Sequence, residues 1–116
     1  MATRLKNIHN AEHYTWGGVC DGWRLLDGAD LSVIQEQIPP GHGEVKHVHT
    51  TSRQFFYVLS GALQIDVGPE SLRLDGGDSL EIPPSIHHKV WNPFQDTAVF
   101  LVVSSPSTRN DRINLE

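Results

Sequence analysis

Turn-forming residues recur along this chain at short, regular intervals, and that rhythm limits its fold more than any other feature. Gly17-Gly18, Asp27-Gly28, Pro39-Pro40-Gly41, Ser60-Gly61, Asp75-Gly76-Gly77, Pro83-Pro84 and Asn92-Pro93 cut it into short segments. Breaks at roughly 8–12-residue spacing mark an all-β sandwich or barrel. The segments between them agree. Leu63, Ile65 and Val67 alternate with Gln64 and Asp66; Leu72 and Leu74 flank Arg73; Leu80 and Ile82 flank Glu81. Alternation with period two describes a strand with one buried face and one wet face. Phe55 to Leu59 and Ala98 to Val103 are nearly continuous apolar runs and read as strands covered on both faces. No window carries a helical stripe, and Asn7 to His13 supports a helical turn or two at most.

The 116 residues suffice for one domain, expected to span 1–116, with a polar and mobile tail over 104–116. The formal net charge of −5, with no basic cluster, argues against a nucleic-acid partner, because such binders neutralise phosphates with Lys and Arg. Cys20 is the only cysteine, so neither an intrachain disulfide nor a cysteine metal cluster is expected. The segment Met1 to Lys6 has no apolar stretch behind its charges, and no secretory leader is expected from it. The run Ala98 to Val103 is far too short to span a bilayer, so no membrane partner is expected and the default location is cytoplasmic.

Seven histidines are many for this length, and their placement says more than their number. His47 and His49, two apart in a strand-like segment, project from the same face. Gln54 follows five residues later and leads into the Phe55 to Leu59 strand, and His88 opens a short segment far downstream. A lone strand histidine is ordinarily a solvated or hydrogen-bonded imidazole. A close pair joined by a third ligand from a distant strand is what a metal site in a β-barrel requires.

The surroundings decide between these readings. Gly41, five residues, His47-x-His49, four residues, Gln54, six residues and Gly61 form one pattern. Gly77, five residues, Pro83-x-Ser85, two residues, His88, three residues and Asn92 form a second. Together they resemble the two motifs of the cupin superfamily, over 41–61 and 77–92, with 15 residues between them as in small bacterial single-domain cupins. Gln54 stands where the family usually has Glu, and Ser85 where glycine is usual. The resemblance implies an all-β, jelly-roll-like antiparallel barrel that holds one divalent metal ion on His47, His49, Gln54 and His88.

Three neutral imidazoles and an amide carbonyl would leave the +2 charge of an ion uncompensated. Oxidation of the ion becomes harder, its bound water more acidic, and an anionic ligand a favoured partner. Nitrogen and oxygen ligands without thiolate suit Mn(II), Fe(II), Ni(II), Zn(II) or Cu(II), and four protein ligands with room for two waters favour Mn(II). An unbulged strand puts Phe56 and Val58 on the face of Gln54, and Val90 and Asn92 on that of His88, so these four are expected to line the pocket. Asn92 is also expected to serve as a structural hydrogen-bonder. Tyr14, Trp16 and Trp23 are expected mainly as packing residues, with Trp16 a further pocket candidate. His42 and His87 miss the ligand spacing, and Arg53 is expected to be solvated.

Phe55, Tyr57, Leu59 and Trp91 have the opposite parity and would need cover, so a homodimer is expected. None of Glu36, Glu44 and Glu81 has a spacing that places it beside the metal. The expected function is a metal-dependent enzyme of isomerase, lyase or dioxygenase type acting on a small polar or anionic metabolite. The alternative is a non-catalytic, metal-dependent module that binds or senses a small molecule.

Overall fold

A computed structural model describes residues 4–116. Met1 to Thr3, part of the segment read for a leader, lie outside the described residues. The turn rhythm translates into strands: β1 (Glu12–Trp16), β2 (Cys20–Asp27), β3 (Ser32–Ile38), β4 (His42–Gly43), β5 (His47–Val48) and β6 (Arg53–Ser60). They continue as β7 (Ala62–Val67), β8 (Glu70–Asp75), β9 (Ser79–Ile82), β10 (His88–Asn92), β11 (Ala98–Ser105) and β12 (Ile113–Asn114). Among the described residues there is no helix long and apolar enough to cross a membrane. The stretch Asn7 to His13 forms only a turn closed on the Asn7 carbonyl, because His13 is taken up by β1.

Two antiparallel sheets face each other. One runs β1-β2-β3-β11-β6-β9, and the other β12-β5-β10-β7-β8 with β4 added beside β10. Their ladders do not close into one continuous barrel, and the two facing antiparallel sheets give the all-β, jelly-roll-like arrangement expected. Ile38, Phe56, Val58, Leu63, Ile65, Ile82, Val90 and Phe100 fill the space between the sheets. Each such side chain contributes roughly 1.5–3 kcal/mol on burial.

Parity along β6 is as the sequence implied on the inside. Gln54, Phe56 and Val58 are buried, while Phe55, Tyr57 and Leu59 are 41%, 37% and 44% exposed. Among the described residues, then, the outer face of this strand is left partly exposed rather than covered.

The segment expected to be a mobile tail is ordered. Its first residues, Ser104 and Ser105, complete β11, and β12 pairs with β5 through Ile113 to Val48 and Asn114 to His47. The Asp111 carboxylate accepts four hydrogen bonds, from the backbone N–H of Thr50, Thr51 and Ser52 and from the Thr50 hydroxyl. Burial works against that carboxylate, but the bonds from Ser52 and Thr50 outweigh it and hold its pKa down at about 2. Residues 106–116 thus form a strap across the open end of the sandwich, and polarity alone did not make the segment loose.

Candidate metal centre

The site lies between the two sheets. His47 and His88 are direct partners across the β5–β10 ladder, so their side chains start from adjacent positions on the same inner face. His49, two residues beyond His47, reaches the same spot. Ligand atoms of the three imidazoles lie within 4.8 Å of one another, all three rings are buried, and together they could hold a metal ion.

Their protonation follows from their partners. Each Nδ1 sits on a backbone carbonyl: that of Val45 at 2.9 Å for His47, of Asp111 at 2.5 Å for His49, and of Ile86 at 2.9 Å for His88. A carbonyl can only accept, so each Nδ1 carries the proton and each neutral ring keeps its lone pair on Nε2. Burial lowers the pKa of all three, to about 3 for His47 and about 4 for His88. The rings are neutral near pH 7 and available as ligands.

Gln54 comes from the opposite sheet. Its Nε2 donates to the Ser104 hydroxyl at 3.2 Å, and its Oε1 lies 3.0 Å from Nε2 of His88. Two acceptors facing each other at that distance repel unless a cation lies between them or the amide turns over. A divalent ion therefore suits this set of donors chemically.

A cavity of about 600 Å³ opens beside the site, lined there by His47, His49 and Gln54. The side chains of Phe56, Trp16, Ile34 and Val102 give it apolar wall, and Tyr14, Glu36, Glu44 and Arg112 give it a polar one. The Tyr14 hydroxyl donates to Glu36 at 2.8 Å. This contact depends on register: Tyr14 pairs with Gly22, and Gly22 with Glu36. A Cβ on Gly22 would run into the Tyr14 ring, so the missing side chain lets the tyrosine lie across β2. Glu44 places Oε1 3.8 Å from Nε2 of His47, and Arg112 approaches its Oε2 at 3.4 Å.

Burial pushes the Glu36 carboxyl up to about 7, and burial followed by the charge of Glu36 pushes Glu44 to about 8. Burial, then Glu36, raises Tyr14 as well. A cation at the histidines would act on Glu44 in the opposite direction.

The Cupin domain family matches residues 34–104, which contain the three histidines and Gln54. The chain is a cupin. An uncharacterized protein of Methanocaldococcus jannaschii is 31% identical over 68 residues, covering 59% of this chain and 54% of that protein. Polyketide synthase CurC of Streptomyces cyaneus is 31% identical over 67 residues, covering 58% and 44%. This cupin thus spans about half the length of the curated relatives it matches. A crystal structure of an uncharacterized conserved protein with a double-stranded β-helix domain, from Klebsiella pneumoniae, superposes with a TM-score of 0.81. It is 21% identical, and 99% of each chain is covered.

Of the residues expected in this cupin's pocket, Phe56 and Trp16 line the cavity. Val58, Val90 and Asn92 do not. They point inward but sit further along their strands, where the sheets close together and each is at most 1% exposed. Asn92 donates to the carbonyls of Ile38 and Asp96 and accepts from the Phe94 N–H, a purely structural set of bonds. His42 and His87 lie on the surface.

Glu44, which no spacing in the sequence placed beside the histidines, stands 3.8 Å from His47, and Glu36 shares its cavity. Glu36 could have been found by parity, since Ser32, Ile34, Glu36 and Ile38 share one face of β3. Glu44 had no such signal, because 44–46 is irregular. Arg112 sits on the strap, where no periodicity points inward.

Proposed function

We propose that this cupin is a metal-dependent enzyme acting on a small polar or anionic metabolite, with His47, His49, His88 and Gln54 holding one divalent ion. One observation carries the reading: three imidazoles converge with their Nε2 lone pairs free, and two of them, His47 and His49, line a cavity that also presents ionisable groups. A bound ion would supply Lewis acidity toward a substrate oxygen. The chain's own residues supply the rest. Backbone carbonyls fix the ring orientations, the Phe56 and Trp16 walls exclude water, and Glu36 with Tyr14 can hold or release a proton at the Glu36 carboxyl.

Mn(II) is the favoured ion, because four nitrogen and oxygen ligands leave room for two further positions. The chemistry in view is isomerase, lyase or dioxygenase chemistry on a substrate that offers an anionic oxygen. The biosynthetic name of one relative, polyketide synthase, supports an enzymatic reading. A non-catalytic module for binding or sensing a metabolite is the competing reading, and it uses the same ion and cavity without turnover.

Elemental mass spectrometry on protein purified without added metal or affinity histidines tests the metal. Near-stoichiometric manganese or iron is expected; no transition metal, and none taken up on titration, would sink the proposal. Ion-dependent turnover within a panel of small carboxylates and hydroxy-ketones then separates enzyme from binding module.

A further inference from the structure

Gln54 replaces the residue that usually brings a negative charge to a cupin ligand set, so a divalent ion here would meet only neutral donors. The structure places a carboxylate close by from another direction. Glu44 Oε1 is 3.8 Å from Nε2 of His47, the atom left free to ligate. Glu44 lies outside the tight group of three histidines, so it faces the site from the side of His47. From there the carboxylate would act on a bound ion from outside its ligands, and such outer partners tune metal sites strongly.

The position is held firmly. The Glu44 N–H donates to the Val90 carbonyl at 3.0 Å, which ties the residue to β10 two positions from His88. Gly43, just before it, packs flat on Trp91, where a Cβ would collide with the Trp91 Cα and Cβ and the Val90 carbonyl. Arg112 reaches Oε2 at 3.4 Å, leaving Oε1 turned toward His47.

We propose that, once a cation is held at the histidines, Glu44 faces it as a carboxylate and supplies, from outside the ligand set, the negative charge that Gln54 withholds from the metal centre. The role rests on the metal-site reading above and adds a residue to it. It makes Glu44 and Gln54 a matched pair: with the anion displaced to position 44, position 54 is free to be neutral.

A thermodynamic cycle on Mn(II) affinity tests this, read from the electron paramagnetic resonance signal of the free ion. E44Q, nearly isosteric, should weaken binding about 10- to 100-fold. E44D keeps the charge and should stay within a few-fold of wild type, which separates charge from packing. Q54E should restore most of the affinity in the E44Q background and add less in the wild type, so the two changes are not additive. Equal affinities for wild type and E44Q would overturn the role of Glu44 while leaving the metal site standing. So would a gain from Q54E that is the same in both backgrounds. No uptake by the wild type of Mn(II), nor of Fe(II), Ni(II), Zn(II) or Cu(II) titrated in its place, would overturn the metal site itself, and this role with it.

Discussion

Ser85 shows what a single residue can cost and still be kept. Its φ of 70° lies in the left-handed region that glycine enters freely and other residues enter at about 1 kcal/mol or more. Glycine is usual at this motif position, and the angle explains why. The strained residue also carries a bond that matters, since its N–H donates to the His49 carbonyl at 2.7 Å. That bond survives in Ser85→Gly. The substitution should leave metal affinity unchanged and shift stability by no more than about +1 kcal/mol, as strain relief is offset by the greater freedom of the unfolded chain. Urea unfolding with and without metal checks both parts.

Asn92 makes the opposite case, a motif residue whose purpose is entirely structural. Asn92→Ala leaves the buried Ile38 carbonyl, the Asp96 carbonyl and the Phe94 N–H without their partner. Stability should fall by about 2 kcal/mol or more, while the metal affinity of the folded fraction stays the same.

Among the elements, the strap over residues 106–116 carries the most consequence for its size. It supplies the carbonyl that orients His49, the arginine that holds Glu44 and part of the cavity wall. Asp111 fastens it to Thr50, Thr51 and Ser52. Asp111→Ala should loosen the strap, lower metal affinity about tenfold through His49, and speed tryptic cleavage at Arg109 and Arg112. Limited proteolysis beside a metal titration reads both, and unchanged cleavage would show that the strap is held by other contacts.

Sequence and structure diverge most at this element, for a physical reason. Strands such as β6 and β10 declare themselves through alternation, and with them the positions of Gln54 and His88. A strap held by carboxylate and backbone bonds to partners some sixty residues away leaves no periodic trace. The histidines and the two-sheet architecture were therefore readable in the sequence, whereas Glu44 and Arg112 required tertiary structure. The depth at which Val58 and Val90 sit was likewise set by how closely the sheets approach, which parity does not report.

At the scale of the whole molecule, the buried ionisable groups set the response to acid. The histidines have folded pKa values below their ordinary 6.5, so the unfolded chain binds more protons as pH falls under about 6.5. They make stability drop on acidification toward pH 4. Glu36, raised from 4.5 to about 7, works the other way: its burial is least costly below pH 4.5, and that relief is lost as pH rises through 7. The metal-free protein should therefore lose stability gradually on the acid side. Glu36→Gln should steepen the decline between pH 6.5 and 4.5, and denaturation midpoints across that range measure it.

The outer face of the sheet that contains β6 and β11 predicts association. Phe55 and Tyr57 stand beside Val103 and Leu101 on β11, an apolar stripe on the surface of this chain. Two copies paired over it would give the expected homodimer. Phe55→Glu with Tyr57→Lys should then yield monomers by light scattering, with metal uptake retained.

Alternation along β6 has one more consequence, a heritable one. Odd and even positions of the same eight residues face different surroundings, so substitutions can revise the cavity or the exterior without disturbing the other. Insertion or deletion of a single residue does the reverse, exchanging the two sets at once and burying what was exposed. Descendants of this gene can vary the two faces independently by replacement, while the reading frame of the strand itself is held fixed by both.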